Sequence, residues 1–371
     1  MARRRGHGEG AIYQRADGLW CASVDLGIVN GKRRRKVVYG KTRKEVADKL
    51  KALHHDQADG INTAPDQQTV AQFLDRWLRD VVARRNKPRT HESYSEMVRL
   101  HIVPYIGHQR LQKLLPEHVL ALMNALSEKG LSPRTVQYAR TILVRALNQA
   151  VKWGHVPRNV ATLVDAPRVE QHKIEPLTLQ QTQALLLAVK GRRLEALYRI
   201  ALSLGLRRGE VLALWWENID FEARTLRVEA TLQRVRGELV RSMPKTRSGK
   251  RLLPLPATLV KALQAHRDKQ QGDSPYVFTS THGTPIEPRN LIREFKAILK
   301  QAGLPETTRF HDLRHSCATF LIAQGVHPRV IMEILGHAQI STTMNIYGHV
   351  LPDTHREATD KLDDLLGDDE E

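Results

Sequence analysis

The sequence predicts a multidomain protein: a small β-rich N-terminal module (three strands plus a helix), an all-α bundle, and a mixed α+β, mainly helical C-terminal domain. Three observations predict this order. Short alternating stretches in residues 1–60 are separated by Asp17-Gly18 and Asn30-Gly31, both hairpin turn signals. Between Val70 and Ala150 the apolar residues recur at i, i+3 and i+4, the period of helices with one buried stripe. After Pro176 helical and strand-like stretches mix, and 371 residues suffice to bury separate cores.

Taken in order, residues 11–15, 19–25 and 35–39 read as strands, and Thr42, with Glu45 three residues later, caps a helix through Val46, Leu50 and Leu53. Residues 60–68 form a polar linker. Val70, Phe73, Leu74, Trp77 and Leu78 open the bundle; a second helix covers 90–101 and stops before Pro104. A third follows Pro116, with Val119, Leu120, Leu122, Met123 and Leu126 apolar, and Ser132-Pro133 starts a fourth that runs to Ala150. Residues 157–176 read as the next linker. The boundaries expected are therefore 1–60, 66–168 and 175–360, with an acidic tail at 361–371.

Composition narrows the class. With 41% hydrophobic and 26% charged residues the chain has the make-up of a soluble globular protein. No apolar run approaches the roughly 20 residues that cross a bilayer, so no membrane partner is expected. The basic N-terminus lacks the apolar stretch of a secretory signal. Its two cysteines, Cys21 and Cys317, form no disulfide framework, which points to a reducing cytoplasm. A net charge of +18 calls for a polyanionic partner, because lysines and arginines on phosphates release counterions. Nucleic acid is the first reading; a ribosome-associated or membrane-surface protein is the alternative. Basic residues are dense at Arg3, Arg4 and Arg5 and at Lys32, Arg33, Arg34, Arg35 and Lys36, so the strands of the first module are candidates to lie in a DNA groove. The tail with Asp363, Asp364 and Asp368 reads as a solvated end, with an autoregulatory contact as the rival.

The chemistry is concentrated in the last domain. Leu194, Leu197, Tyr198, Ala201 and Leu204 describe a buried helix ending at Gly205, and Arg207 follows in the turn before a helix that starts near Glu210. An arginine held in such a turn can grip a phosphate through two oxygens, and Glu210 can orient it. Residues 225–229 and 232–240 are strand-like; Lys245 then leads through a turn to a strand over 250–255. A lysine there is suited to protonate a leaving oxygen. His311, Arg314 and His315 share one helix face at i, i+3 and i+4, a grouping that repels itself unless an anion lies between its members. Zinc is the rival, disfavoured by the arginine. A last amphipathic helix carries Val330, Ile331, Ile334 and Leu335 and ends at Gly336, with His337 next. Tyr347 stands ten residues on, beyond the helix-starting Ser341-Thr342-Thr343.

The pieces Gly-Leu-Arg-Arg-Gly-Glu, Pro-Lys-Thr-Arg-Ser, His-Asp-Leu-Arg-His, Leu-Gly-His and Ile-Ser-Thr-Thr-Met-Asn-Ile-Tyr, in this order and spacing, resemble the signature of the tyrosine recombinases, the phage integrase family. Leu204 departs from it, standing where Thr or Ser is more usual. The resemblance implies a catalytic domain over 175–360, a core-binding, SAM-like bundle over 66–168, and an arm-type DNA-binding module over 1–60, as in lambda-like integrases. It implies Tyr347 as nucleophile, Arg207 and Arg314 on the phosphate oxygens, Lys245 as general acid, His311 as general base and His337 as hydrogen-bond donor to the phosphate. Glu210 and His315 support them, and no cofactor or metal is implied. The implied partners are double-stranded DNA at core-type and arm-type attachment sites, a homotetramer on DNA, a host bending factor and an excisionase, in the cytoplasm of a bacterial host at the nucleoid. An integrase of a conjugative element, a dimer resolvase, a type IB topoisomerase and a non-catalytic DNA-binding regulator are the competing readings.

Overall fold

A computed structural model describes residues 12–29, 32–58, 67–170, 175–244, 249–337, 339, 359–360 and 362–363. The chain divides into two compact units, Met1–Gln171 and His172–Glu371. Among the described residues no helix is long and apolar enough to cross a membrane.

The first unit begins with an antiparallel sheet of β1 (Ile12–Gln14), β2 (Trp20–Val29) and β3 (Lys32–Gly40), in that order. Both β2 and β3 run longer than the sequence pattern suggests, with a register irregularity between Asp25 and Ile28. α1 (Arg43–Ala58) is capped as expected: the Glu45 amide donates to Thr42 Oγ1 at 3.2 Å and the Lys41 amide donates to Glu45 Oε2 at 2.9 Å. Cys21, Ala22, Val24 and Val46 are buried.

The helices of residues 67–170 enclose a core of their own, centred on Phe73, Leu74, Trp77, Ile102, Leu122, Leu126, Ile142 and Leu143. α2 (Val70–Trp77) opens with a capping box between Thr69 and Gln72 and continues through a π-helical turn, Leu78–Val82, into α3 (Ala83–Arg85). α4 (Pro88–Met97) does the same through a second π turn, Val98–Ile102, into α5 (Val103–Ile106). This corrects the expected stop before Pro104. The proline falls in the first turn of α5, where its missing N–H costs nothing, and the wider π turn absorbs the change in path. α6 (Pro116–Glu128) and α7 (Pro133–Lys152) complete the bundle, with Ser132 as the N-cap of α7. Leu120 is exposed, outside the buried stripe expected for it. Residues 157–164 are not linker: Val160 and Ala161 are buried on a short 3-10 turn that Asn159 holds, donating to Val144 O and Asn148 Oδ1 at 2.8 Å each.

The second unit runs α8 (Leu179–Val189), α9 (Glu195–Leu204), α10 (Arg208–Leu212), β4 (Ile219–Asp220), β5 (Thr225–Val228), β6 (Thr231–Val235), β7 (Glu238–Ser242), β8 (Arg251–Pro254), α11 (Ala257–Lys269), α12 (Pro288–Gln301), α13 (Asp312–Ala323) and α14 (Pro328–Leu335). β4, β5 and β8 form one sheet, β6 and β7 another. Residues 232–240, expected as one strand, fold back on themselves. Arg236 and Gly237 take φ of 50° and 85°, the two positive values of the tight turn that suits a hairpin. The core gathers Tyr198, Phe278, Phe295 and Phe310 with α9 at its centre. Ser316 ties α13 to the start of the unit by accepting the Leu177 amide at 2.9 Å.

Gly205 ends α9 in the left-handed conformation, φ 58°. A Cβ built on it would stand 2.5 Å from Leu335 Cδ2, so a side chain here is strained by dihedral and forces the end of Leu335 to shift. Gly205→Ala is expected to lower the unfolding free energy by about 1–3 kcal/mol, read by urea denaturation of the full chain. An unchanged midpoint would contradict this packing.

Candidate active site

The turn after α9 sets the first candidate residue. Leu206 is buried, and Arg207 is the N-cap of α10 with extended dihedrals (φ −67°, ψ 147°). Glu210, three residues on, accepts the Arg207 amide at 3.0 Å and Arg207 Nη1 at 2.7 Å. The other end of the Arg207 fork donates through Nη2 to Gly336 O at 3.1 Å. Two of a guanidinium's five N–H groups are thus used among the described residues. The Arg207 side chain is 39% exposed, while Glu210 is 4% exposed.

A second arginine completes the carboxylate's shell. Arg251, at the start of β8, donates from Nη2 to Glu210 Oε2 at 2.9 Å, from Nε to Ile334 O at 2.7 Å and from Nη1 to Gly249 O at 3.3 Å. Arg251 is not among the residues of the sequence motifs. Its signal was strand alternation: Arg251 shares the inward face of β8 with buried Leu253, and an inward charge demands a partner. Burial works to raise the Glu210 pKa, but the charges and hydrogen bonds of Arg251 and Arg207 outweigh it and hold the carboxyl below its ordinary range.

From α13 come Arg314 and His315, both buried, and from its N-cap His311, which is exposed. Arg314 Nη1 donates to Gly205 O at 2.8 Å, so α13 grips the turn that carries Arg207. The rings of His311 and His315 meet edge to face with centroids 5.0 Å apart. Asp312, also buried, accepts the Arg309 amide at 2.7 Å and pairs with its guanidinium, which occupies its charge locally. His337 follows Gly336, which closes α14 in the left-handed region (φ 66°), and its amide donates to Met332 O at 3.0 Å.

The imidazoles are kept neutral. Desolvation, then the positive fields of His315, Arg314 and Arg207, lower His311 to about 4. Desolvation, then Arg314, Arg207 and the two neighbouring histidines, lower His337 to about 4 as well. Desolvation leads again for His315, which is also lowered, with Asp312 opposing. Burial pushes the Cys317 thiol up to about 12, which removes it as a nucleophile near neutrality.

Arg207, Glu210, His311, Arg314, His315 and His337 therefore meet on one surface made by α10, α13 and the end of α14. Lys245 and Tyr347 lie outside the described residues, as do Arg3, Arg4, Arg5 and most of the tail. Arg35 is exposed on β3 opposite Asp25, and Lys36 lies opposite Val24; Lys32, Arg33 and Arg34 share that strand. Among the described residues no three His, Cys, Asp or Glu side chains are grouped so as to hold a metal ion. A cavity of about 390 Å³ lined by Arg192, Arg193, His266 and Lys269 includes none of the candidate residues.

The sequence pattern of the phage integrase family matches residues 175–353, and that of the phage integrase N-terminal SAM-like domain matches 69–127. A protein named tyrosine recombinase XerC-like, from Caldanaerobacter subterraneus subsp. tengcongensis, is 32% identical over 91% of the chain and 93% of its own length. An integrase from Saccharopolyspora erythraea is 30% identical over 97% of each. The Tn1549 transposon integrase, solved with a circular intermediate DNA, shares the fold with a TM-score of 0.71 at 24% identity, covering 80% of this chain and 99% of that one.

A histidine whose charged form is disfavoured on folding leaves the unfolded chain binding more protons between its folded pKa and its ordinary value of 6.5. Stability is thus expected to fall as pH drops from about 6.5 toward 4. Imidazole NMR of the DNA-free protein should find His311 and His337 neutral at about pH 5.5. Two charged rings at that pH would sink this account.

Proposed function

The chain belongs to the phage integrase family of tyrosine recombinases, which cleave and rejoin DNA site-specifically, and on that premise we propose that it integrates and excises a phage genome between attachment sites. One observation carries the reading: two arginines on a single buried carboxylate, a third, Arg314, on the turn beside them, and neighbouring histidines lowered by these cations make a positively charged surface suited to an anion.

In the proposed reaction the Tyr347 oxygen attacks the scissile phosphorus. The phosphorus–O5′ bond breaks, leaving a 3′-phosphotyrosine and a 5′-hydroxyl, so the bond energy is kept without a nucleotide cofactor. Arg207 and Arg314 neutralise the charge that grows on the non-bridging oxygens. His311, neutral at physiological pH, takes the Tyr347 proton; Lys245 gives one to the departing O5′. His337 hydrogen-bonds the phosphate, and Glu210 and His315 hold the set in place.

Residues 1–60 would bind arm-type sites through Arg3, Arg4, Arg5 and the β3 cations from Lys32 to Lys36, residues 66–168 the core site, and 175–360 perform the chemistry. Four protomers would act on two duplexes in the bacterial cytoplasm, at the nucleoid, with a host bending factor and an excisionase setting direction.

A nicked core-site duplex that traps the covalent intermediate tests the chemistry. The wild-type chain should give a denaturation-resistant protein–DNA band with or without EDTA, and Tyr347→Phe should give none. A band that disappears with chelator, or survives the Phe change, would overturn the mechanism. Deleting residues 1–65 should leave core-site binding and cleavage but abolish integration; integration by the truncated chain would remove the arm assignment.

A further inference from the structure

Arg251 has no role in the steps above, yet it bonds the carboxylate that orients Arg207 and the end of α14 that leads to His337. Its Cα is fixed by the sheet, since Arg251 pairs with Val228 across β5 and β8. Its side chain is 7% exposed, and its guanidinium faces three acceptors from three parts of the chain. Through Nη2 it holds Glu210, which in turn orients Arg207. Through Nε it takes up Ile334 O, one of the last carbonyls of α14, three residues before His337. Through Nη1 it reaches Gly249 O, two residues before it in the chain.

The last carbonyls of a helix have no partner within it, and a cation there is favoured by the helix dipole. At the end of α14, Met332 O and Glu333 O accept backbone N–H groups, Ile334 O is taken by Arg251 and Gly336 O, just beyond, by Arg207, and both guanidinium groups are bound to the same carboxylate. A guanidinium is planar, so donors on its three nitrogens fix the mutual placement of three acceptors; an ammonium on a flexible stem does not. A charge buried this far also needs its partner, which locks the pair in one geometry.

We propose that Arg251 is a positioning residue for strand cleavage, setting Arg207 and the α14 end that leads to His337 in one register with the start of β8. This rests on reading the surrounding surface as the recombinase active site. Misplacing reacting groups by about 1 Å costs on the order of 100-fold in rate, which sets the size of the expected effect.

The test uses the full chain with Arg251→Lys and, in parallel, Arg251→Gln. Melting temperature, equilibrium binding to the core-site duplex and the single-turnover rate of covalent complex formation at saturating protein are measured. Amide exchange at His337, whose N–H is bonded to Met332 O, reports on the end of α14. The expected result for Arg251→Lys is a folded protein with unchanged core-site affinity, faster exchange at His337 and a cleavage rate about 100-fold lower. Either folded variant cleaving at the wild-type rate would overturn the proposal. So would loss of folding in both, which would make Arg251 a stability element only. If the wild-type chain itself forms no covalent complex, the reading of the site fails, a result distinct from a wild-type chain that cleaves no faster than its Arg251 variants.

Discussion

Glu210 is a carboxylate almost closed off from water and held between two guanidinium groups, and the rest of the site takes its geometry from that arrangement. Burying a lone carboxylate costs several kcal/mol, and removing one partner of such a pair typically costs about 3–5 kcal/mol. The helix start at Arg207, the strand start at Arg251 and the end of α14 are therefore bound together by a charge that tolerates no other arrangement. Asp312 is paired with Arg309, and its field on His311 and His315 is outweighed, since both stay lowered. Arg207, Arg251 and Arg314 against Glu210 leave a surplus of two positive charges where α9, α13 and α14 converge. That surplus exists before any DNA arrives.

The same surplus explains the histidines. Two imidazoles lowered to about 4 beside arginines are acceptors at neutral pH. An anion placed among them reverses the local field, because an opposite charge within hydrogen-bond distance favours the protonated ring. The site thus offers neutral imidazoles to an incoming duplex and donors to a bound phosphate. One set of residues would serve as base and as hydrogen-bond donor, with the phosphate itself deciding between the roles.

Legibility from sequence followed the range of the interaction. The end of α9 at Gly205, the cap at Ser132 and the end of α14 at Gly336 were readable because each is decided within a few residues. α12, with Leu291, Phe295, Ile298 and Leu299 at helical spacing, carries an equally local pattern that went unread. The hairpin turn at Arg236 was hidden because it puts a non-glycine residue at positive φ, against the usual preference. The helical path through Pro104 depends on a π turn that no local rule announces. Arg251 illustrates the same limit within the site: its three acceptors lie 41, 83 and 2 residues away, and only the last is local. Clustering of Arg207, Arg314 and His337 was visible as a motif order, and Glu210 as the residue that orients Arg207, but the second arginine on that carboxylate, Arg251, was not.

The two glycines at the helix ends are part of this chemistry as well as of the turns. Arg314 donates to Gly205 O, and Arg207, two residues beyond Gly205, donates to Gly336 O. Each arginine thus secures the backbone turn next to another candidate residue: Arg314 the turn before Arg207, Arg207 the turn before His337. Left-handed glycines aim these carbonyls where the arginines can reach them, at positions where a side chain would be strained. The contact is also steric, since a Cβ at 205 would strike Leu335, the residue before Gly336. A change at the first turn is therefore transmitted to the second through one apolar contact and one hydrogen bond. The candidate arginines Arg207 and Arg314 are thus held by backbone and guanidinium contacts that join the ends of α9 and α14.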